Sequence, residues 1–174
     1  MPPDTRDGRG ACVLDACVLV PIALTDTLLR CAEAGLFQPI WSERILEEVF
    51  GALRRIHPGY SSDLFARRLQ AMQQAFPDAT RGGEYPETTK SAGLPDLDDE
   101  HVLGLAVQAQ APLIVTFNLR DFPSEICRAH GVQVIHPDQF LISITTAQPQ
   151  IMREVVSSQA RDTHLPSMTV ARVL

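Results

Sequence analysis

Hydrophobic and polar positions along the chain alternate between two patterns. Ala11 to Asp15 (A-C-V-L-D) is a short apolar run without polar alternation, the signature of a strand buried on both faces of a parallel sheet, and it ends in a carboxylate. From Thr25 to Ala34 the spacing of Leu28, Leu29 and Ala32 turns helical, and Gly35 is placed to close that helix. A second strand is expected over Phe37 to Trp41. Ser42 is a good N-cap, and Ile45, Val49, Leu53 and Ile56 then recur every three or four residues along one helical face. That helix stops before Pro58-Gly59. Ser61 and Ser62 open another, through Leu64, Phe65, Leu69, Met72 and Phe76 to Pro77, so the two should form a hairpin.

Arg81 to Leu94 turns to Gly, Pro, Thr and charge, which predicts a loop. After Asp96-Leu97-Asp98-Asp99 the pattern predicts a helix from about Glu100 to Ala109, then a buried strand over Leu113 to Thr116. Asn118 to Asp121 should form a turn, Phe122 to His130 a short helix ended by Gly131, and Val132 to Ile135 a last strand. Pro137 and Asp138 start a helix through Phe140, Leu141 and Ile144, and Pro149 starts one more to about Arg161. The tail after Asp162 has no clear periodicity, and there is no repeat. Short apolar strands alternating with helices mean an α/β fold with a mainly parallel sheet.

With 174 residues, 45% of them hydrophobic, the chain can bury a real core and fits one domain. It contains no run long and apolar enough to span a membrane and its first ten residues are polar, so a cytoplasmic location is expected. The formal net charge of −6 argues against nucleic-acid binding through a broad basic surface. Lys90 is the only lysine and is poorly placed for Schiff-base or Gly-rich-loop chemistry. Cys12, Cys17, Cys31 and Cys127 lack zinc-site spacing and lie in apolar segments, as expected of buried free thiols.

In open parallel sheets the functional crevice lies beyond the carboxyl ends of the strands. Three segments place an acid there or nearby: Asp15 ends the first strand, Asp99 precedes a helix, and Asp121 follows the strand ending at Thr116. Carboxylates crowded together without a basic partner repel, and a hard divalent cation is the usual remedy. A fourth acid comes from the helix after Ser42, where Glu43 and Glu47 lie opposite the apolar seam while Glu48 sits at its edge and can reach inward. Each acid has a simpler alternative. Asp96 or Asp98 suits an N-cap, Asp99 could cap as well, and Asp121 could merely start the helix at Phe122. Thr116 and Asn118 could orient a carboxylate, a water or a phosphate, or Asn118 could simply make the turn. His57, His101, His130, His136 and His164 show no ligand spacing and are expected to be structural or exposed. No G-x-S-x-G pattern supports acyl transfer.

The order of motifs is informative: V-L-D-A at 13 to 16, W-S with I-L-E-E-V at 41 to 49, D-L-D-D-E-H-V at 96 to 102, and I-V-T-F-N-L-R-D-F-P at 114 to 123. In this the chain resembles the PIN-domain nucleases, the fold of VapC-type toxins, from about Cys12 to Leu141. The resemblance implies a three-layer α/β/α sandwich, with a nuclease domain over 11–146 and a helical extension and tail over 147–174. It implies that Asp15, Glu48, Asp99 and Asp121 bind Mg²⁺ or Mn²⁺ and activate water to hydrolyse RNA, with Asp96, Thr116 and Asn118 in support. Cys17 departs from the asparagine or serine that relatives often carry there.

The same resemblance suggests an antitoxin partner and a homodimer, for which Leu64, Phe65, Leu69 and Met72 of the hairpin would serve. Arg54, Arg55, Arg67 and Arg68 could guide RNA or contact a partner, or form a solvated face. Trp41 could stack a base, but a strand end makes it a core residue first. Two competing readings are phosphotransfer through an aspartyl phosphate on Asp15, and a PIN-like binding module that has lost catalysis. The first lacks a second aspartate at Cys17 and a late lysine; the second is disfavoured by four retained acids.

Overall fold

The computed structural model describes residues 10–83, 85, 89 and 92–163. Strand β1 (Ala11–Leu14) leads through two helices, α1 (Ala16–Leu19) and α2 (Ile22–Glu33), to β2 (Gln38–Ile40). The hairpin α3 (Glu43–Ile56) and α4 (Ser62–Ala75) follows, and a single 3-10 turn over Leu97–Asp99 runs into α5 (Glu100–Gln108). Then come β3 (Leu113–Val115), α6 (Ser124–Ala129), β4 (Gln133–Ile135), α7 (Pro137–Ala147) and α8 (Pro149–Thr163).

The four strands are parallel in the order β2-β1-β3-β4 and are flanked by helices, an α/β/α sandwich. Val13 pairs with Ile40 on one side and with Ile114 on the other. The two central strands are buried almost wholly: Val13, Leu14, Ile114 and Val115 are all 0% exposed. An uninterrupted apolar run therefore suits a strand covered on both faces. The chain leaves β1 toward one edge and enters β3 toward the other, so the carboxyl ends of β1 and β3 flank the point where winding reverses.

Local signals act as their chemistry predicts. The Ser42 hydroxyl accepts the Ile45 N–H at 3.2 Å, satisfying one of the orphan donors of α3. Gly35, at φ +76°, takes the left-handed turn after α2. His136 caps α7, its Nδ1 accepting the Asp138 N–H at 3.2 Å.

Several expectations need correction. Residues 16–19 form a separate short helix, and α2 begins at Ile22 rather than near Thr25. The unbroken apolar stretch before Pro21 carries no amphipathic period to announce a helix. Helix α6 starts at Ser124, beyond Pro123, so Asp121 is not its cap. Trp41 is core, as its strand end led one to expect, 0% exposed and with its indole N–H donating to Thr80 Oγ1 at 3.0 Å; what was not foreseen is its isolated parallel bridge with Thr80. Lys90, His164, the tail after Thr163 and part of the expected loop at 81–94 lie outside the described residues.

The hairpin's roles change most. Arg68 is 1% exposed and donates to the carbonyls of Leu19 at 2.8 Å and Val20 at 3.2 Å and to Thr25 Oγ1 at 3.0 Å, so it is not a surface guide for RNA. Burial pushes its guanidinium down to about 10. Of the four hairpin residues expected to serve a partner, Phe65, Leu69 and Met72 are buried in the chain's own core, while Leu64 is only partly buried. Helix α8 packs on α2 and α7, with Arg30 bonded to Asp26, Ser158 and Asp162. Among the described residues no helix is long and apolar enough to cross a membrane.

Candidate active site

Asp15 is the junction of the sheet's two central strands. Its N–H extends the ladder by donating to the Val115 carbonyl at 3.1 Å, and the residue is 5% exposed. Oδ1 accepts the Ala16 N–H at 2.7 Å, capping α1. Oδ2 accepts the Thr116 hydroxyl at 2.6 Å and the Cys17 thiol at 3.1 Å. Thr116 Oγ1 in turn accepts the Asn118 N–H at 3.0 Å, and the Cys17 sulfur accepts the Phe117 N–H at 3.3 Å. A buried carboxylate would be costly alone; three donors stabilise it and fix its orientation.

Cys17 is thus part of the site, a role that its apolar neighbours in sequence concealed. Burial first, then the Asp15 charge, push its thiol up to about 12, so it stands as a neutral S–H donor rather than a thiolate. The other described cysteines are free and buried, as expected.

Asp99 ends the 3-10 turn that Asp96 caps, Asp96 Oδ1 accepting the Asp98 N–H at 2.9 Å. Its carboxyl is pushed up to about 6, by burial first and then by the charges of Asp15, Asp96 and Asp121, against a smaller opposing pull from His101. Three distant segments therefore bring acids within electrostatic reach of one another. Asp121 lies in the turn closed by its N–H donating to the Asn118 carbonyl at 3.0 Å.

Glu48 stands apart from this mutual repulsion. Its Oε1 accepts from His101 Nε2 at 2.9 Å and from Arg44 Nε at 3.4 Å. Burial would raise its carboxyl, but the bonds and charges of His101 and Arg44 outweigh it and hold Glu48 below the usual range. His101, expected to be structural or exposed, is buried and structural, and its partner is Glu48, which its position among Val102 and Leu103 in the sequence did not reveal.

Among the described residues no group of three or more His, Cys, Asp or Glu is already placed to hold a metal ion. Asp99 feels the charges of Asp15, Asp96 and Asp121, but these acids do not stand together as a ready-made metal site. Two cavities of about 320 and 360 Å³ lie elsewhere, one beside Arg30 and Arg68, the other beside Phe37 and Pro77; neither is lined by these acids.

A model of the PIN domain matches residues 11–120. The chain belongs to the PIN-domain family. That span contains β1 through β3 and the acids Asp15, Glu48, Asp96 and Asp99, while Asp121 lies just past its end. A segment of 44 residues is 43% identical to the protein named "Putative ribonuclease VapC50" of Mycobacterium tuberculosis (strain ATCC 25618 / H37Rv), covering 25% of this chain and 26% of that protein. The chain spans only about a quarter of the length of the curated relative it matches. No solved structure matches it.

The raised Asp99 carboxyl has a thermodynamic consequence for this PIN domain. Between its ordinary value of 3.8 and about 6 it binds more protons folded than unfolded. Stability of the metal-free protein should therefore fall as pH rises across that window and level off above it. Asp99→Asn should relieve the repulsion and stabilise the metal-free protein at a pH about 1.5 units above that window. Solvent screening of a half-exposed group keeps the gain to about 1 kcal/mol. Urea titrations of both proteins would measure it; an Asp99→Asn variant equal to or weaker than the parent at that pH contradicts the repulsion.

Proposed function

We propose that this chain is a Mg²⁺- or Mn²⁺-dependent endoribonuclease, acting in the cytoplasm as the toxin of a toxin-antitoxin pair. Membership of the PIN family and the ribonuclease named among its relatives support the activity class. What supports the reading is the placement of Asp15 at the end of β1, Asp99 in the turn before α5 and Asp121 in the turn after β3, acids from separate segments whose charges act together on the Asp99 carboxyl. Carboxylate oxygens are hard donors suited to Mg²⁺ or Mn²⁺, and a dication is what would relieve that repulsion. Asp15, Asp99, Asp121 and Glu48 would hold it, and when bound it supplies an activated water and neutralises charge on the scissile phosphate.

The chain's own residues have separable tasks. Asp15 presents a carboxylate whose orientation Thr116, Cys17 and the Ala16 N–H fix in advance. Asp96 keeps the 3-10 turn closed and so sets where Asp99 stands. Asn118 holds the Thr116 hydroxyl through its N–H, keeping that hydroxyl aimed at Asp15. With a net charge of −6, RNA is recruited at the site rather than by a general basic surface. Arg54, Arg55 and Arg67 remain on the exposed side of the hairpin and are suited to the RNA backbone or an acidic partner segment. Homodimer formation is part of the expected behaviour, through surfaces other than the buried hairpin core. Residues 11–146 form the nuclease domain in this proposal, with 147–174 as its extension.

The test is RNA decay by the purified chain, using single-stranded and structured substrates. Cleavage should require Mn²⁺ or Mg²⁺, stop on chelation with EDTA and resume when the cation is returned. Decay that continues unchanged in EDTA refutes the proposal.

A further inference from the structure

We propose that Phe117 is a stacking platform for a base of single-stranded RNA, an exposed aromatic ring fixed beside Asp15 on which one nucleotide of the substrate lies. The inference rests on the reading of this chain as a ribonuclease, but it requires no cation, because stacking is a contact of the ring itself.

Phe117 follows Thr116, whose hydroxyl donates to Asp15 Oδ2 at 2.6 Å. Its own N–H donates to Cys17 Sγ at 3.3 Å, and that thiol donates to the same Asp15 oxygen at 3.1 Å. Two routes of hydrogen bonds therefore tie the Phe117 backbone to Asp15. The side chain is nonetheless 41% exposed. A single exposed phenylalanine means little on its own; here its place is what counts. Two more of the exposed large apolar side chains, Leu97 and Leu119, stand in the turns that carry Asp96, Asp99 and Asp121. The His136 ring meets Phe117 at 71° with centroids 5.2 Å apart, an edge contact that covers at most one face of the phenyl ring. His136 is itself held at the start of α7, where its Nδ1 accepts the Asp138 N–H.

The neighbouring charges select the occupant. With a net charge of −6 and acids beside the ring, affinity for RNA must come in good part from uncharged contacts. Stacking on an aromatic side chain is such a contact, worth about 5- to 150-fold in affinity per base. Arg120, exposed in the turn between Leu119 and Asp121, adds a charge for the phosphate. A duplex hides its base faces in its own stack, so the ring suits an unpaired strand. A protein partner suits it less well. A stable interface takes about 800 Å² from each side, and these apolar side chains are interleaved with carboxylates.

The full chain is compared with Phe117→Leu and Phe117→Tyr, using a fluorescein-labelled single-stranded oligoadenylate. Binding is read by anisotropy in EDTA at several salt concentrations, folding by thermal melting, and cleavage by kinetics with Mn²⁺. Leucine keeps an apolar side chain and loses the ring; tyrosine keeps the ring. Phe117→Leu should bind at least about 5-fold more weakly at every salt concentration, raise KM more than it lowers kcat, and melt as the parent does. Phe117→Tyr should stay within about 3-fold of the parent. An abasic nucleotide moved along the strand should weaken the parent at one position and leave Phe117→Leu unchanged there. Equal affinity in the parent and leucine proteins overturns the proposal. So does a loss that tyrosine shares, a loss that vanishes at high salt, or an abasic effect as large in leucine as in the parent. Where the parent cuts RNA but binds too weakly in EDTA to measure, KM carries the same comparison. A parent that neither binds nor cuts RNA removes the ribonuclease reading and the platform with it. A parent that cuts RNA with the same KM as Phe117→Leu removes the platform alone and leaves the ring to a protein contact.

Discussion

Asp15→Asn is expected to fold as the parent does and to lose RNA cleavage by roughly a thousandfold or more, the equivalent of several kcal/mol of metal-assisted stabilisation. Asparagine keeps the shape of the side chain and one carbonyl oxygen, so the Ala16 N–H retains its acceptor and α1 its cap. Opposite Thr116, whose hydroxyl donates to Oδ2 at 2.6 Å, the new amide can donate instead, because a hydroxyl also accepts. What is removed is the charge. Repulsion at Asp99 also falls, since Asp15 is the first of the charges raising it. The metal-free Asp15→Asn variant should thus be no less stable than the parent, while Mn²⁺ no longer raises its melting temperature. Circular dichroism, melting with and without Mn²⁺, and RNA decay measure the three parts. Cleavage retained within about tenfold by a folded Asp15→Asn variant removes Asp15 from the catalytic centre.

Arg68→Ala should cost about 3 to 5 kcal/mol of stability, as much as truncating an apolar core residue. Two contributions act together. Truncation opens a cavity at a site 1% exposed, and it leaves the Leu19 and Val20 carbonyls at the end of α1 without their donor. An opposing effect is real. Among the described residues the buried guanidinium has no carboxylate partner and its Nε is unsatisfied, so removing the charge recovers part of the cost. Arg68→Met, which keeps most of the volume and discards the charge, should therefore cost clearly less than alanine. Urea unfolding of the three proteins decides; an alanine variant within about 1 kcal/mol of the parent would falsify the tie between α4 and α1.

Much of this protein was legible in its sequence, for reasons that differ from element to element. The helix beginning at Glu43 announced itself because Ser42 and the spacing of Ile45, Val49 and Leu53 reported the same boundary and the same face. The strand over Ala11–Leu14 could be recognised because burial on both sides demands an unbroken apolar run. Helix α1 was not legible, since a short buried helix and a short buried strand look alike without a polar face. Arg68 was misjudged, and the partner of His101 went unseen, for a related reason: a charged or ionisable residue cannot be placed until its partners, carbonyls or a carboxylate on another helix, are known.

Local sequence determined the alternation of strands and helices, and with it the parallel sheet and the placing of Asp15 and Asp121 just beyond strand ends. These follow from periodicity, caps and breakers that act over a few residues. Only the tertiary structure decided that the Thr116 hydroxyl and the Cys17 thiol hold Asp15, that charge gathers at Asp99, and that Glu48 answers to His101. Hydrogen bonds and Coulomb interactions depend on distance in space, and Asp15 and Thr116 are separated by 101 positions in the chain.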